Sequence, residues 1–116
     1  MKKGKKGKNI LVGICGGIAS YKSCELVRLL IKDGHSVKVM MTDASTKFVS
    51  GLVFQELSKN SVYLDMFNLI KEENIKHISL AQWADFCVVA PASANTLSKI
   101  ASGICDNLLT IVICAL

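Results

Sequence analysis

The first 41 residues constrain the fold most. Residues 9–14, NILVGI, are a short β-branched apolar run of the kind that forms a buried parallel strand. The run ends in a glycine turn, CGGI at 15–18, and from Ser20 to Asp33 the pattern becomes helical, with Cys24, Val27, Leu30 and Ile31 on one face. Ser20 is the expected N-cap and Gly34 the expected stop after the last turn. SVKVMM at 36–41 is a second strand. Parallel strands need a crossover connection, usually a helix. A strand, glycine turn, helix and strand within about 30 residues therefore open a nucleotide-binding α/β fold.

The remaining elements are less regular. Residues 44–58 are predicted helical with a break near Gly51, 61–66 as a short strand, 68–79 as a polar loop and 80–84 as a short helix ending at Asp85. FCVVA at 86–90 is the clearest buried strand by composition and stops at Pro91, and 94–102 is a helix closed by Gly103. Asp106 is a good N-cap, but LLTIVICAL at 108–116 is apolar on all sides and rich in β-branched residues, so periodicity leaves helix and strand open. The chain reaches Leu116 inside this run with no turn or polar cap, the pattern of a domain cut short. The expected organisation is a disordered basic tail at 1–8 and the N-terminal part of a single domain at 9–116.

Hydrophobic residues make up 51% of the chain and charged residues 20%, with a mean hydropathy of +0.41, which excludes a disordered protein. So much apolar sequence in a small domain points to further burial against a partner, a ligand or more chain. The net charge of +5 resides in the tail, where Lys2, Lys3, Lys5, Lys6 and Lys8 leave the body balanced. No aromatic residues interleave with those lysines, so no nucleic-acid platform is indicated. No apolar stretch approaches the roughly 18–20 residues of a membrane span, and no membrane partner is expected. The five cysteines form no CxxC pair, and His35 and His77 stand off zinc-ligand spacing, so no metal site is expected. These features fit a reduced cytoplasmic protein in which Cys15, Cys24 and Cys87 are small apolar fillers and His35 lies on the surface.

Three loops at strand ends carry the candidate chemistry. Gly13–Ser20 follows a strand and opens a helix; its glycines admit close backbone approach, free N–H groups favour an anion, and Ser20 adds a hydroxyl. The spacing is neither GxGxxG nor a Walker loop, so a tight turn needed only for packing competes with phosphate binding. At the end of the second strand, Thr42 and Asp43 stand where a ligand would lie, and capping of the next turn explains them equally well. After FCVVA, Ser93, Asn95 and Thr96 offer donors at the next helix start. Three such loops converging on one crevice weigh more than any alone. His77, with Trp83 and Asp85 behind it, is a general-base candidate near neutral pH, although a lone histidine is more often structural.

These residues also match a family. GGIASYK at 16–22, MMTDAST at 40–46, HISLAQWAD at 77–85, APASANTLSKIASG at 90–103 and DNLLT at 106–110 occur in one order across residues 9–116. In this the chain resembles the flavin-dependent cysteine decarboxylases, most closely the phosphopantothenoylcysteine decarboxylase domain of coenzyme A biosynthesis. The resemblance implies an α/β, Rossmann-like flavoprotein with a parallel sheet, helices on both faces and the C-terminal part of the domain missing. It implies FMN as cofactor, with Gly16, Gly17, Ile18 and Ser20 at the phosphate end and Thr42, Ser93, Asn95 and Thr96 completing the pocket. His77 matches the catalytic histidine, which acts near the flavin of a neighbouring subunit, so a homotrimer or higher homo-oligomer is implied. It also implies that 107–116 is helix.

The implied reaction is FMN-dependent decarboxylation of 4'-phosphopantothenoylcysteine, a small thiol, to 4'-phosphopantetheine. Oxidation of the thiol-bearing carbon to a thioaldehyde gives the electrons of the breaking C–C bond an acceptor. The alternatives are a peptidyl-cysteine decarboxylase or flavin prenyltransferase of the same fold, or a non-catalytic regulatory member. Flavin prenyltransferases lack the HIxLxxWAD histidine, so His77 favours decarboxylation. The family's PxMNxxMW-type substrate segment and proton-donating cysteine are not within the 116 residues, which are expected to turn over poorly by themselves. Cys15 stands where the family commonly has Thr or Ser, and Cys105 where it commonly has Ala.

Overall fold

The computed structural model describes residues 7–64, 79–105 and 108–116. Strand β1 (Asn9–Ile14) leads through the glycine turn into helix α1 (Ser20–Lys32), and β2 (Ser36–Met41) follows. A 3-10 turn, Ala44–Lys47, precedes α2 (Gly51–Ser58) and the short β3 (Val62–Leu64). A helical turn at 79–83 leads into β4 (Phe86–Val89), which is followed by α3 (Ala94–Ser102) and α4 (Leu108–Ala115). All strand pairs are parallel, in the order β3-β2-β1-β4. This is the strand order of one half of a doubly wound fold, with the order reversing between β1 and β4.

Side-chain alternation along β1 builds two cores. Ile10, Val12 and Ile14 face α1 and α2, where Val27, Val37, Val39, Met41 and Phe54 close around them. Leu11 and Cys15 face the other way, against Met40, Leu80, Leu109 and Val112. Helical elements therefore cover both faces of the sheet, as expected for this fold class. Gly13 lies on the second face, where an added Cβ would come within 2.8 Å of Leu109 Cδ1, so glycine lets α4 approach the sheet. At the opposite end, Asn9 N–H donates to Asp85 Oδ2 at 2.8 Å and its side chain donates to the Trp83 carbonyl at 3.0 Å, tying β1 to the turn before β4.

Several local expectations change. Ser20 is not the N-cap of α1; Ala19 holds that position, and Ser20 is buried. The stop after α1 stands, with Gly34 at φ +95° and its N–H bonded to the Ile31 carbonyl. The break in 44–58 falls just before Gly51, where Ser50 caps α2 by accepting from Leu52 N–H at 3.1 Å. β4 is not fully buried: Cys87 and Val89 face the second core, but Phe86 is 57% and Val88 37% exposed. β4 is an edge of the described sheet, and no described helix covers its Phe86 face. The last segment is helix, as the resemblance implied: packing of Leu109 and Val112 on the sheet outweighs β-branched propensity. His35 is largely buried, its Nδ1 accepting from Lys8 N–H at 3.0 Å, rather than a free surface residue. The polar loop at 68–78 and the Asp106 cap lie outside the described residues.

Candidate functional site

The carboxyl ends of β1 and β4 meet at the point where the strand order reverses, and both strands lead into helix starts. The two loops are laced together by backbone and side chain. Cys15 N–H donates to the Pro91 carbonyl at 3.1 Å, and Ala90 N–H to the Gly13 carbonyl at 2.9 Å. From α1, Ser23 Oγ donates to the Ala90 carbonyl at 2.6 Å, and the Cys15 thiol to Thr96 Oγ1 at 3.4 Å. The Ala90–Pro91 peptide bond is cis. The N-termini of α1 and α3 are thus fixed side by side, each presenting the positive end of its dipole and unbonded N–H groups at the same mouth.

The glycine loop leaves backbone donors open, an arrangement that could hold an anion. Among the described residues, no protein acceptor meets the N–H groups of Gly16, Gly17, Ile18 or Ala19, whereas Ser20 N–H bonds back to the Gly17 carbonyl at 2.9 Å. Gly17 holds φ +147°, and nothing lies within 4 Å of where its Cβ would be, so a ligand can reach the backbone there. Gly16 serves a different purpose, since its Cβ would sit 2.7 Å from Ala44 Cβ. The glycine lets the loop lie directly on the 3-10 turn after β2. Ile18 is 77% exposed at the rim.

The other site residues divide by direction. Ser20 Oγ points inward and donates to the Cys15 carbonyl at 3.0 Å, fixing the loop from behind. Thr42 caps the turn that follows β2: its Oγ1 accepts from Ser45 N–H at 3.2 Å, and its carbonyl accepts from Ser45 Oγ at 2.7 Å. Asp43 is exposed and its carboxylate makes no cap bond. Ser93 caps α3, accepting from Thr96 N–H at 3.1 Å, and Ser93 Oγ and buried Thr96 Oγ1 are 3.0 Å apart. Asn95 is exposed in the first turn of α3. Gly16, Gly17, Ile18, Ser93 and Asn95 thus gather at one mouth, with Ser20 and Thr96 as buried supports. His77 lies outside the described residues.

Sequence reasoning missed two contributors. Ser23 and Cys15 join the loops, and the available signal was small polar residues at i and i+3 on the inner face of α1 (Ser20 and Ser23). Burial raises the thiols of Cys87 and Cys24 above the ordinary value. Among the described residues no cluster of His, Cys, Asp or Glu could hold a metal ion, and no helix is long and apolar enough to cross a membrane.

A half doubly wound sheet with paired helix N-termini at its reversal point defines a Rossmann-like α/β fold. The chain belongs to the Flavoprotein family, whose model matches residues 1–116. It is 50% identical over 110 residues to the coenzyme A biosynthesis bifunctional protein CoaBC of Borreliella burgdorferi, covering 95% of this chain and 28% of that protein. It is 46% identical over 112 residues to a probable phosphopantothenoylcysteine decarboxylase of Streptococcus mutans, covering 94% and 61%. Among solved structures it is similar to a PPC decarboxylase mutant complexed with pantothenoylaminoethenethiol, with a TM-score of 0.75, 31% identity, and coverage of 94% of this chain and 60% of that one. The FMN-dependent cysteine decarboxylase TvaF of thioviridamide biosynthesis superposes with a TM-score of 0.83 at 28% identity, covering 93% and 67%. The chain thus spans about a quarter of the bifunctional relative and about three-fifths of the single-function one.

Proposed function

We propose that this chain forms the flavin-binding part of an FMN-dependent phosphopantothenoylcysteine decarboxylase. The observation that carries the reading is the mouth between β1 and β4, where four N–H groups with no acceptor among the described residues and two helix starts converge beside a glycine open to close approach. That donor set suits the terminal phosphate of a mononucleotide. It lacks the GxGxxG fingerprint of a dinucleotide site. Gly16, Gly17 and Ile18 would hold the phosphate through backbone N–H groups, with Ser20 bracing the loop. Ser93 and Asn95 would reach the cofactor from the start of α3, Thr96 supporting Ser93, and Thr42 would shape the neighbouring edge. FMN, when bound, supplies the two-electron oxidation that makes a cysteine carboxylate able to lose CO2. His77 would move a proton at the substrate thiol or carboxylate.

The reading of the substrate is supported by relatives named a coenzyme A biosynthesis bifunctional protein and a probable phosphopantothenoylcysteine decarboxylase, at 50% and 46% identity. The solved PPC decarboxylase and the peptidyl-cysteine decarboxylase EpiD match alike, at 31% and 30%. The fold itself does not discriminate, since that enzyme superposes with a TM-score of 0.78. A cleft of about 210 Å3 beside the mouth, lined by Ala19, Lys22, Ser23, Leu26, Ala90 and Pro91, is smaller than the roughly 300–1,000 Å3 of a cofactor pocket. Further walls are therefore required. Exposed apolar Ile18, Phe86, Val88 and Leu97 support their coming from another subunit in a homotrimer. The test is CO2 release by the full-length, flavin-loaded protein from phosphopantothenoylcysteine and from a peptide ending in cysteine. Turnover of the first alone is expected. Turnover of the peptide alone, or release of an adenine-containing cofactor on heating, would overturn the reading.

A further inference from the structure

Two buried serines on the inner face of α1, Ser20 and Ser23, each donate to a carbonyl outside the helix rather than to the helix itself. The direction of both bonds is fixed, because a carbonyl oxygen can only accept. Ser20 Oγ holds the Cys15 carbonyl at 3.0 Å on the buried side of the glycine loop. Ser23 Oγ holds the Ala90 carbonyl at 2.6 Å, and this bond is only partly buried. Ser23 and Ala90 share the wall of the cleft beside the mouth with Ala19, Lys22, Leu26 and Pro91. The next carbonyl along, that of Pro91, accepts from Cys15 N–H at 3.1 Å. Opposite them, the N–H groups of Gly16, Gly17, Ile18 and Ala19 meet no protein acceptor among the described residues. The junction of the two loops therefore offers a ligand its donors, while the neighbouring carbonyls of Ala90 and Pro91 are already occupied.

We propose that Ser23 is a positioning residue that sets the specificity of the flavin site: by occupying the Ala90 carbonyl it keeps the mouth selective for the phosphate group of FMN. A carbonyl oxygen carries partial negative charge, and in a partly dry cleft that charge acts on a phosphate more strongly than it would in water. The Ser23 hydroxyl proton offsets it. Without that proton, the Ala90 carbonyl would work against the helix N-termini that favour an anion. Loss of the hydroxyl thus has two separable consequences. A looser junction of the loops would touch any ligand alike, whereas an unoccupied acceptor beside the mouth would touch only an anionic one.

The inference rests on the flavin-site reading, and the two fail differently. The experiment is titration of full-length, flavin-free protein with FMN and with riboflavin, which has the same ring and side chain without the phosphate. Ser23→Ala is expected to weaken FMN about three- to tenfold, within the range of one neutral hydrogen bond, and to leave riboflavin within about twofold of the parent. The preference for FMN over riboflavin therefore falls. Ser23→Thr and Ser23→Val are a second pair, equal in shape and differing in the hydroxyl, and the open cleft beside Ser23 has room for the added methyl group. Ser23→Thr is expected to bind FMN within about twofold of the parent, and Ser23→Val to repeat the loss seen in Ser23→Ala. Thermal unfolding of each flavin-free variant accompanies the titrations, and the Thr/Val comparison decides the matter where Ser23→Ala is unfolded. Equal weakening of FMN and riboflavin in Ser23→Ala makes Ser23 merely structural and overturns the proposal. Matching FMN affinities in Ser23→Thr and Ser23→Val overturn it too. Absence of FMN binding by the parent protein overturns the site reading, and the proposal with it.

Discussion

Gly16→Ala tests the link between packing and cofactor binding most directly. The added methyl carbon would lie 2.7 Å from Ala44 Cβ, 3.2 Å from the Ala44 carbonyl carbon and 3.5 Å from its oxygen. Non-bonded carbons rest about 3.5–4.0 Å apart, so the loop and the 3-10 turn must separate by roughly 1 Å. Two of the three contacts are backbone, which cannot rotate away. Overpacking of this kind costs about 1–3 kcal/mol. The displaced segment carries the N–H groups of Gly16, Gly17 and Ile18, so the cost should fall on binding, weakening FMN by about 5- to 150-fold. The assay is quenching of FMN fluorescence in a titration of full-length protein, with thermal unfolding of the flavin-free form alongside. Adding Ala44→Gly removes the closest atom and should restore most of the affinity. The 3.2 Å contact that remains is tight but tolerable. Parental affinity in Gly16→Ala, or a defect untouched by Ala44→Gly, would refute the steric reasoning. Gly51→Ala is the control, since its nearest neighbours are side-chain atoms at 3.7–3.8 Å, and it should leave FMN affinity unchanged.

Five further outcomes are expected. His77→Asn should abolish decarboxylation and leave flavin bound, read by CO2 release and the flavin absorbance of the purified protein. Loss of both together would make His77 structural. Asn95→Ala should weaken FMN by removing an exposed donor, whereas Ser20→Ala should mainly lower unfolding stability, by about 1–2 kcal/mol in denaturant melts, because its hydroxyl serves the buried Cys15 carbonyl. Cys87 should alkylate more slowly than free cysteine at pH 8 and gain rate as pH rises, since burial holds its thiol protonated. The same shift works on stability: below about pH 8.5 the thiol is neutral in both states, and above it the unfolded chain loses the proton first. Unfolding free energy should therefore fall as pH rises past that point, and less steeply in Cys87→Ala.

The strand–turn–helix–strand opening was legible in the sequence because each element carries a local signal: β-branched runs, a 3.6-residue face and the glycine after Lys32. The glycine loop, Ser93 and Asn95 were legible as a candidate site, since parallel strands in an α/β sheet deliver their loops to one edge whatever the details. Several features depended on contacts distant in sequence. Residues 108–116 carry apolar side chains on every face, and packing of Leu109 and Val112 on the sheet, beside Gly13, goes with helix rather than strand. FCVVA has a buried strand's composition, yet its position as the outer strand of the described sheet leaves Phe86 and Val88 exposed. Ser20 looked like an N-cap because a serine beside a helix start usually is one; the turn of the glycine loop instead aims it at the Cys15 carbonyl. The same folding set the roles of Cys15 and Thr96, which are 81 residues apart. Local propensity assigns elements and their ends, but which side of a loop meets water follows from the partners that tertiary packing brings within hydrogen-bond distance.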